Sequence, residues 1–311
     1  MALTSGRRLG NVLVASERPA ADRSGRWTPR LQSPLQRALA HVLRNPMGVF
    51  GASILAILAV TALAAPFVAP YDPLAQHASS ELLPPSIGFW LGTDQFGRDE
   101  LSRIIFGARV SFTVAVAATA LGALVGVLAG LVAGYLDGAV DSVIMRLCDV
   151  MFAFPAILLG IGLITVLGPA LYSTALALAI SQTPYYARVM RGSVLTVRDR
   201  EFIVAAHSFG AGDAWIALRH ILPNCTTPLL VQLSLSLGFN VLAEAGLSFI
   251  GLGVQPPAAS WGNMLSESQR FVDRAPWLAL WPGLAIALLV LALNFLSDAI
   301  RDGLDPSQAR G

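Results

Sequence analysis

Gln232, Ser236, Asn240, Glu244 and Ser248 recur every four residues through an otherwise apolar stretch, Pro228–Ile250. On a helix of 3.6 residues per turn, each step of four drifts by about 40°, so these polar groups spiral slowly around one side. Glu244 is the sharpest of them. An acid in a membrane span costs about 2.5–3.5 kcal/mol on insertion scales, so it must face a partner or water. Two chemistries suit Asn240, Glu244 and Ser248: lining a wet pathway, or hydrogen-bonding one helix to another. Nothing else in the chain suggests catalysis. His41, His77, His207 and His220 form no cluster, and Cys148 and Cys225 lack metal or redox spacing and read as inert buried thiols. There is no catalytic triad, phosphate-binding glycine loop or nucleotide fingerprint. No cofactor or metal is expected, and any ATP chemistry belongs to another chain.

A second patterned stretch is Glu201–Asn224, EFIVAAHSFGAGDAWIALRHILPN. Phe202, Ala205, Ala206 and Phe209 recur at helical spacing after Glu201. Gly210-Ala211-Gly212 breaks that helix. Asp213 is placed to cap a second helix starting at Ala214, its carboxylate accepting from free backbone N–H groups. Trp215, Leu218, Ile221 and Leu222 give this helix an apolar side, and Pro223 is expected to stop it. An ordinary amphipathic connection between spans has the same composition.

The elements that carry these residues are membrane helices. Hydrophobic residues make up 55% of the chain and charged residues 13%, with a mean hydropathy of +0.63. A soluble domain carries about 25% charge. A net charge of +2 is too small to imply a nucleic-acid partner. The pattern predicts an all-α polytopic protein with six transmembrane helices. They run roughly over Met47–Ala69, Val110–Gly134, Val150–Leu167 (interrupted by Pro155), Leu171–Met190, Pro228–Ile250 and Trp277–Ile300. The first covers about 34 Å, enough for a hydrocarbon core of about 30 Å. Gly122, Gly126, Gly130 and Gly134 form a row of small residues that favours close helix packing. Tyr135–Arg146 reads as a short loop. Residues 1–45 read as an Arg-rich, largely disordered arm, helical from Pro34 to Arg44, and residues 301–311 as a short tail.

All 21 basic residues are arginine. Arg98, Arg103, Arg109, Arg270 and Arg274 fall in Tyr71–Arg109 and Gly251–Pro276; the rest lie in the arm, the tail and the loops on their side. By the positive-inside bias, both termini and the Glu201–Asn224 loop are cytosolic. Trp90, Trp261, Trp277 and Trp281 then fall at the outer side, as interfacial indoles do.

The 201–224 stretch resembles the EAA loop of ABC importer permeases: Ala205-Ala206, Gly210 and Leu222-Pro223 stand at the matching positions. Val204 replaces the family's Glu and His220 its hydrophobic residue, with Glu201 one turn earlier as an acidic group. Leu91-Gly-Thr-Asp-Gln-Phe-Gly-Arg-Asp-Glu-Leu-Ser-Arg103, Gly107-Ala-Arg109, Ala243–Pro257 and Trp261–Leu265 resemble the second permease of the oligopeptide, dipeptide and nickel class. Bottom-up, Gly92 and Gly97 mark turns, and Asp99 is placed to cap a short helix leading into the second span.

The resemblance covers Leu91 to about Asp305 and implies a type I ABC importer core. The implied domains are the arm (1–45), a first span with its outer segment (46–109), the permease domain (110–300) with a coupling loop (199–224), and the tail (301–311). The implied protein is a non-catalytic inner-membrane subunit in contact with lipid. Its partners would be a homologous second permease, two cytosolic ATPase subunits and an extracytoplasmic solute-binding protein. Glu201, Ala205, Ala206, Gly210, Ala211, Asp213, Trp215, Leu222 and Pro223 would form the ATPase-coupling site. The rival expectation is a secondary transporter or channel driven by an ion gradient, which needs coupling acids and often an inverted repeat. Glu244 is the only residue that favours it.

Overall fold

The computed structural model describes residues 34–304. The disorder expected of the arm falls mostly on residues outside that range, as does most of the tail. The described residues are helical apart from turns and one isolated bridge, Thr93–Asp99. Helix α1 spans Pro34–Arg44, as its sequence suggests. Helix α2 (Pro46–Leu63) starts with Pro46 in its first turn, and the Asn45 side chain accepts from the Met47 N–H at 3.0 Å. The chain then breaks at Ala64 into a single turn, α3 (Ala65–Val68), so the first span is shorter than the apolar run.

Helix α4 (Glu100–Leu136) is 37 residues long, about 55 Å. It exceeds a hydrocarbon core of about 30 Å. Asp99 does cap it, accepting from Ser102 N–H at 2.8 Å. The expected separate short helix is simply the first turns of α4. The glycine row explains the main helix contact in the molecule. A Cβ on Gly122, Gly126 or Gly130 would overlap the carbonyl oxygens of Ala179, Thr183 and Ala187 on α7 (Leu171–Val197), and one on Gly134 would meet Val194. Backbones this close gain dispersion along their whole length.

The third span differs from expectation. Residues 138–152 are not loop: α5 (Gly138–Phe152) contains Asp141 and Arg146, and α6 (Ala156–Leu167) follows at an angle of 89°. Pro155 cannot donate to the helix and disfavours helical backbone at the residue before it, which places the break. Helix α7 runs seven residues beyond Met190, with Pro184 inside it. Helices α8 to α10 make up the 201–224 stretch, followed by α11 (Thr226–Phe249), α12 (Trp261–Ser268) and α13 (Trp277–Leu304). Among the described residues four helices, α2, α4, α11 and α13, are long and apolar enough to cross a membrane, or five if α5 and α6 count as one span. Helix α7 has the length, but Ser181, Gln182, Thr183, Arg188 and Arg191 make it more polar.

Trp261 is not an interfacial indole. It is fully buried, its Nε1 donates to the Ile104 carbonyl at 2.9 Å, and its ring lies where a Gly107 side chain would be. With Met264, Val241, Leu289 and Leu293 it forms the core at the end of the bundle where α4 begins. A knot of charge sits at the same end. Arg98 Nε donates to Asp94 Oδ2 at 2.5 Å, and Arg103 Nη2 to Glu267 Oε2 at 3.0 Å. Asp94, Arg98 and Arg103 are all at most 4% exposed. Gly92 and Gly97, both at positive φ, form the turns that bring Asp94 and Arg98 together.

Candidate functional site

Where α4 ends and α7 ends, Glu201–Asn224 folds back against the bundle. Helix α8 spans Glu201–Ser208 and α9 Asp213–Ile216. Gly210 between them takes φ +79°, with open space around its Cβ position. The left-handed backbone, not crowding, is what demands glycine there. The Ala211 N–H donates to the Ala206 carbonyl at 3.1 Å and closes the turn. Two details differ from the sequence reading. Gly212 is the N-cap of α9, and Asp213 makes no capping bond. Pro223 does not stop the helix. The backbone widens into a π-helical turn over Ala217–Ile221, continues as α10 (Leu222–Asn224) and bends at Cys225 into α11. Pro223 lacks an N–H, so a regular i→i−4 ladder cannot pass through it, and the widened turn lies just before it.

The loop has an inner and an outer side. Ile203, Ile216 and Ile221 are 2% exposed or less and pack on Leu131, Met190, Val194 and Val197 of α4 and α7. Ala206, Ala211 and Leu222 are half-buried against the same core. Phe202, Val204, Trp215 and Leu218 point outward, and Phe209 is 92% exposed. Glu201, Ala205, Gly210, Asp213 and Pro223 share that outer side. The apolar side expected from Trp215 and Leu218 therefore faces away from the protein's own core. His220 sits edge-on to Trp215 with ring centroids 4.6 Å apart and reaches Phe202 at 6.4 Å. At a position where the resemblance expects an aliphatic residue, it joins an aromatic cluster.

Sequence reasoning missed the residues that hold the loop. Tyr135, in the last turn of α4, donates its hydroxyl to Asp213 Oδ1 at 2.8 Å and lies 3.3 Å from His207 Nε2, its ring stacked on the imidazole. One phenol thus touches the helices on both sides of the glycine turn. Arg198 Nη1 donates to the Gly134 carbonyl at 2.9 Å and Nη2 to Asp137 Oδ2 at 2.9 Å, tying α7 to the end of α4. The Arg198 hydrogen bond, with one from Gly138 N–H, holds the Asp137 carboxyl below its usual range. Burial pushes the Cys225 thiol up to about 11, so it stays protonated and inert, as expected. The available signal was position: Tyr135 is the first aromatic after the glycine row, where α4 leaves its apolar stretch.

The polar line on α11 is separate from the loop, with Asn240 about 22 Å along the helix from Cys225. Glu244 is fully buried between α11 and α4. Ser111 donates to its Oε2 at 2.9 Å and Ser248 to its Oε1 at 2.7 Å. Asn240 Nδ2 donates to Thr119 Oγ1 at 2.9 Å. Both oxygens of Glu244 are thus taken up within this chain, one by Ser111 across the contact with α4 and one by Ser248 on α11 itself. Among the described residues no group of His, Cys, Asp and Glu is placed to hold a metal ion.

Comparison with known proteins agrees with this architecture. Residues 126–310 match the family described as binding-protein-dependent transport system inner membrane component. Residues 33–85 match the N-terminal TM domain of oligopeptide transport permease C. The chain is 41% identical over 280 residues to a di/tripeptide transport system permease protein of Pseudomonas aeruginosa, covering 88% of this chain and 92% of that one. It is 40% identical over 274 residues to a dipeptide transport system permease protein of Alkalihalophilus pseudofirmus, covering 88% and 90%. It is 41% identical over 278 residues to a glutathione transport system permease protein of Escherichia coli, covering 89% and 92%. These names carry peptides and glutathione; none of the three carries nickel.

Proposed function

We propose, for a chain that belongs to the family of binding-protein-dependent transport system inner membrane components, the role of one of two homologous permeases in an ATP-driven importer of short peptides. Membership makes it a non-catalytic, multi-pass inner-membrane subunit of an ABC transport system. The solute proposed is a di- or tripeptide or glutathione, the cargo named for its relatives. In this reading the chain crosses the membrane six times, through α2, α4, the bent pair α5–α6, α7, α11 and α13, in a type I core. The arginine bias puts the termini and the 201–224 loop in the cytosol. Two ATPase subunits dock below the permeases, with the loop as this chain's socket for the ATP-hydrolysing partner, a second permease completes the pathway and a binding protein delivers solute from outside.

One observation carries the coupling role. The loop exposes Phe202, Phe209, Trp215 and Leu218 together on a short, tied-down helical knob. A contiguous exposed aromatic patch on a braced scaffold marks a protein interface. The ion-gradient reading has less support, because Glu244 is sealed between helices rather than open to water. The test is uptake of a labelled dipeptide and of glutathione into vesicles holding the assembled complex, with and without binding protein and ATP. Uptake that needs both supports the reading. Uptake driven by an ion gradient without ATPase subunits overturns it.

A further inference from the structure

A cavity of about 800 Å³ opens at the end of the bundle opposite the 201–224 loop. It lies where the first span gives way to the polar segment (Pro66, Pro70, Tyr71) and where α4 enters its apolar stretch (Phe106, Arg109, Val110). Its walls are largely apolar, with opposite charges at Arg109 and Asp72. Those two groups do not pair with each other. Asp72 accepts the Leu74 N–H at 2.8 Å, and Arg109, exposed, makes no hydrogen bond or ion pair among the described residues. A cation left unpaired at the mouth of an apolar cavity, beside a carboxylate with an oxygen to spare, matches a zwitterion.

The face of α4 that carries Arg109 does not end at the cavity. Thr113, Val116, Ala120 and Leu124 follow at steps of four, three, four and four residues, all exposed. From Arg109 to Leu124 the stripe runs about 22 Å, more than the roughly 15 Å that one leaflet contributes to a hydrocarbon core of about 30 Å, so it can carry an acyl chain along its length. In the turn between the cavity-lining Pro66 and Ala69, Phe67 is 91% exposed and Val68 51%. A short peptide would fill the cavity but leave the stripe bare. A molecule with a charged head and a long apolar tail covers both.

We propose that this cavity is a binding site for a zwitterionic phospholipid of the phosphatidylethanolamine type. Its phosphate lies on Arg109, its ammonium toward Asp72, and one acyl chain runs along Thr113 to Leu124. The site sits between the first span and the core, so a bound lipid props the two apart at the end away from the loop. This inference needs only that the chain lies in a membrane and does not depend on the coupling reading.

The test is native mass spectrometry of the assembled transporter, extracted into detergent with equimolar phosphatidylethanolamine and phosphatidylglycerol. Retention of phosphatidylethanolamine in preference to phosphatidylglycerol is expected for the unaltered complex. Arg109→Ala should weaken retention of both about tenfold, the scale of one charge-assisted phosphate contact. Asp72→Asn should abolish the preference while leaving phosphatidylglycerol bound. Arg109→Lys keeps the charge and should retain lipid even if Arg109→Ala fails to assemble. Equal retention by the unaltered complex and Arg109→Ala would overturn the site. Displacement of the lipid by a dipeptide would make it a solute site instead, and cross-linking of cysteines at Arg109 and Thr113 to the second permease would make it a subunit interface.

Discussion

The two ends of the bundle are built on opposite plans. At the end where α4 begins, charge is buried. Asp94, Arg98 and Arg103 are nearly inaccessible and Glu267, on α12, closes the network. At the end where α4 finishes, Asp141 is buried against Arg191, but the outer side of the loop keeps its charged and aromatic groups in solvent: Asp213, His207 and Asp137 are exposed, as are Phe209 and Trp215. A buried ion pair costs desolvation and is kept where one geometry must be held. An exposed aromatic knob is a surface waiting to be covered. The first plan suits a fixed scaffold, the second a surface that transmits a partner's movement. Residues that look alike in sequence, two polar segments with paired glycines, therefore answer differently to substitution.

The largest effect is expected at the buried end. Arg103→Ala removes the nearer cation of Glu267, 3.0 Å away, and an ion pair to Asp94 at 3.6 Å; Asp94 stays buried, while Glu267, about a quarter exposed, keeps Arg98 at 3.5 Å. Breaking a buried pair from one side costs about 3–5 kcal/mol. The complex should lose yield and thermal stability in detergent. Arg103→Met combined with Glu267→Leu should be less damaging than Arg103→Ala alone. Equal stability of Arg103→Ala and the unaltered protein would remove the contrast between the ends.

Gly210→Val comes next. A β-branched residue at φ +79° costs about 1–3 kcal/mol of local strain, although no atom crowds the site. The span core is untouched, so the protein should insert and melt normally while losing ATPase subunits on purification or losing ATP-driven uptake. Gly210→Asn, which tolerates the left-handed region, should keep most activity. Full coupling in Gly210→Val would show that the turn does not set the docking surface.

Between the two ends, Glu244 tests whether the α11 line belongs to the scaffold or to a pathway. Glu244→Gln keeps hydrogen-bonding capacity toward Ser111 and Ser248, so assembly and uptake should both persist. Glu244→Leu removes both bonds, at about 0.5–1.5 kcal/mol each, and should weaken assembly. Loss of uptake in an intact Glu244→Gln complex would instead place a working charge there.

Sequence legibility followed the physics of each element. The glycine row, the Asp99 cap, α1 and the Gly210 turn were readable because each depends on local backbone chemistry. The third span was not, because Pro155 announces a break but not its 89° angle, which no local rule sets. Asp213 reads as an N-cap because capping is the commonest local use of such a residue. Its real partner, Tyr135, is 78 residues away, and no local rule can find it. Trp261 reads as an interfacial indole for the same reason. Only the fold shows that Gly107 makes room for it.

The smallest expected effect is at Tyr135, and it separates bracing from docking. Its hydroxyl reaches Asp213 and His207, both on the exposed side of the loop, where each hydrogen bond contributes about 0.5–1.5 kcal/mol or less. Tyr135→Phe keeps the ring stacked on His207 and removes the hydroxyl contacts to Asp213 and His207. Asp213→Ala removes the first of these from the other side and, since Asp213 caps nothing, should do no more than Tyr135→Phe. Each should lower uptake by a few-fold with ATPase subunits still bound, and the double variant should be no worse than Tyr135→Phe alone, because that variant already deletes the bond to Asp213. Additive losses in that cycle would mean that Asp213 contacts the ATPase directly. The exposed end would then recognise its partner through charge as well as through its aromatic knob.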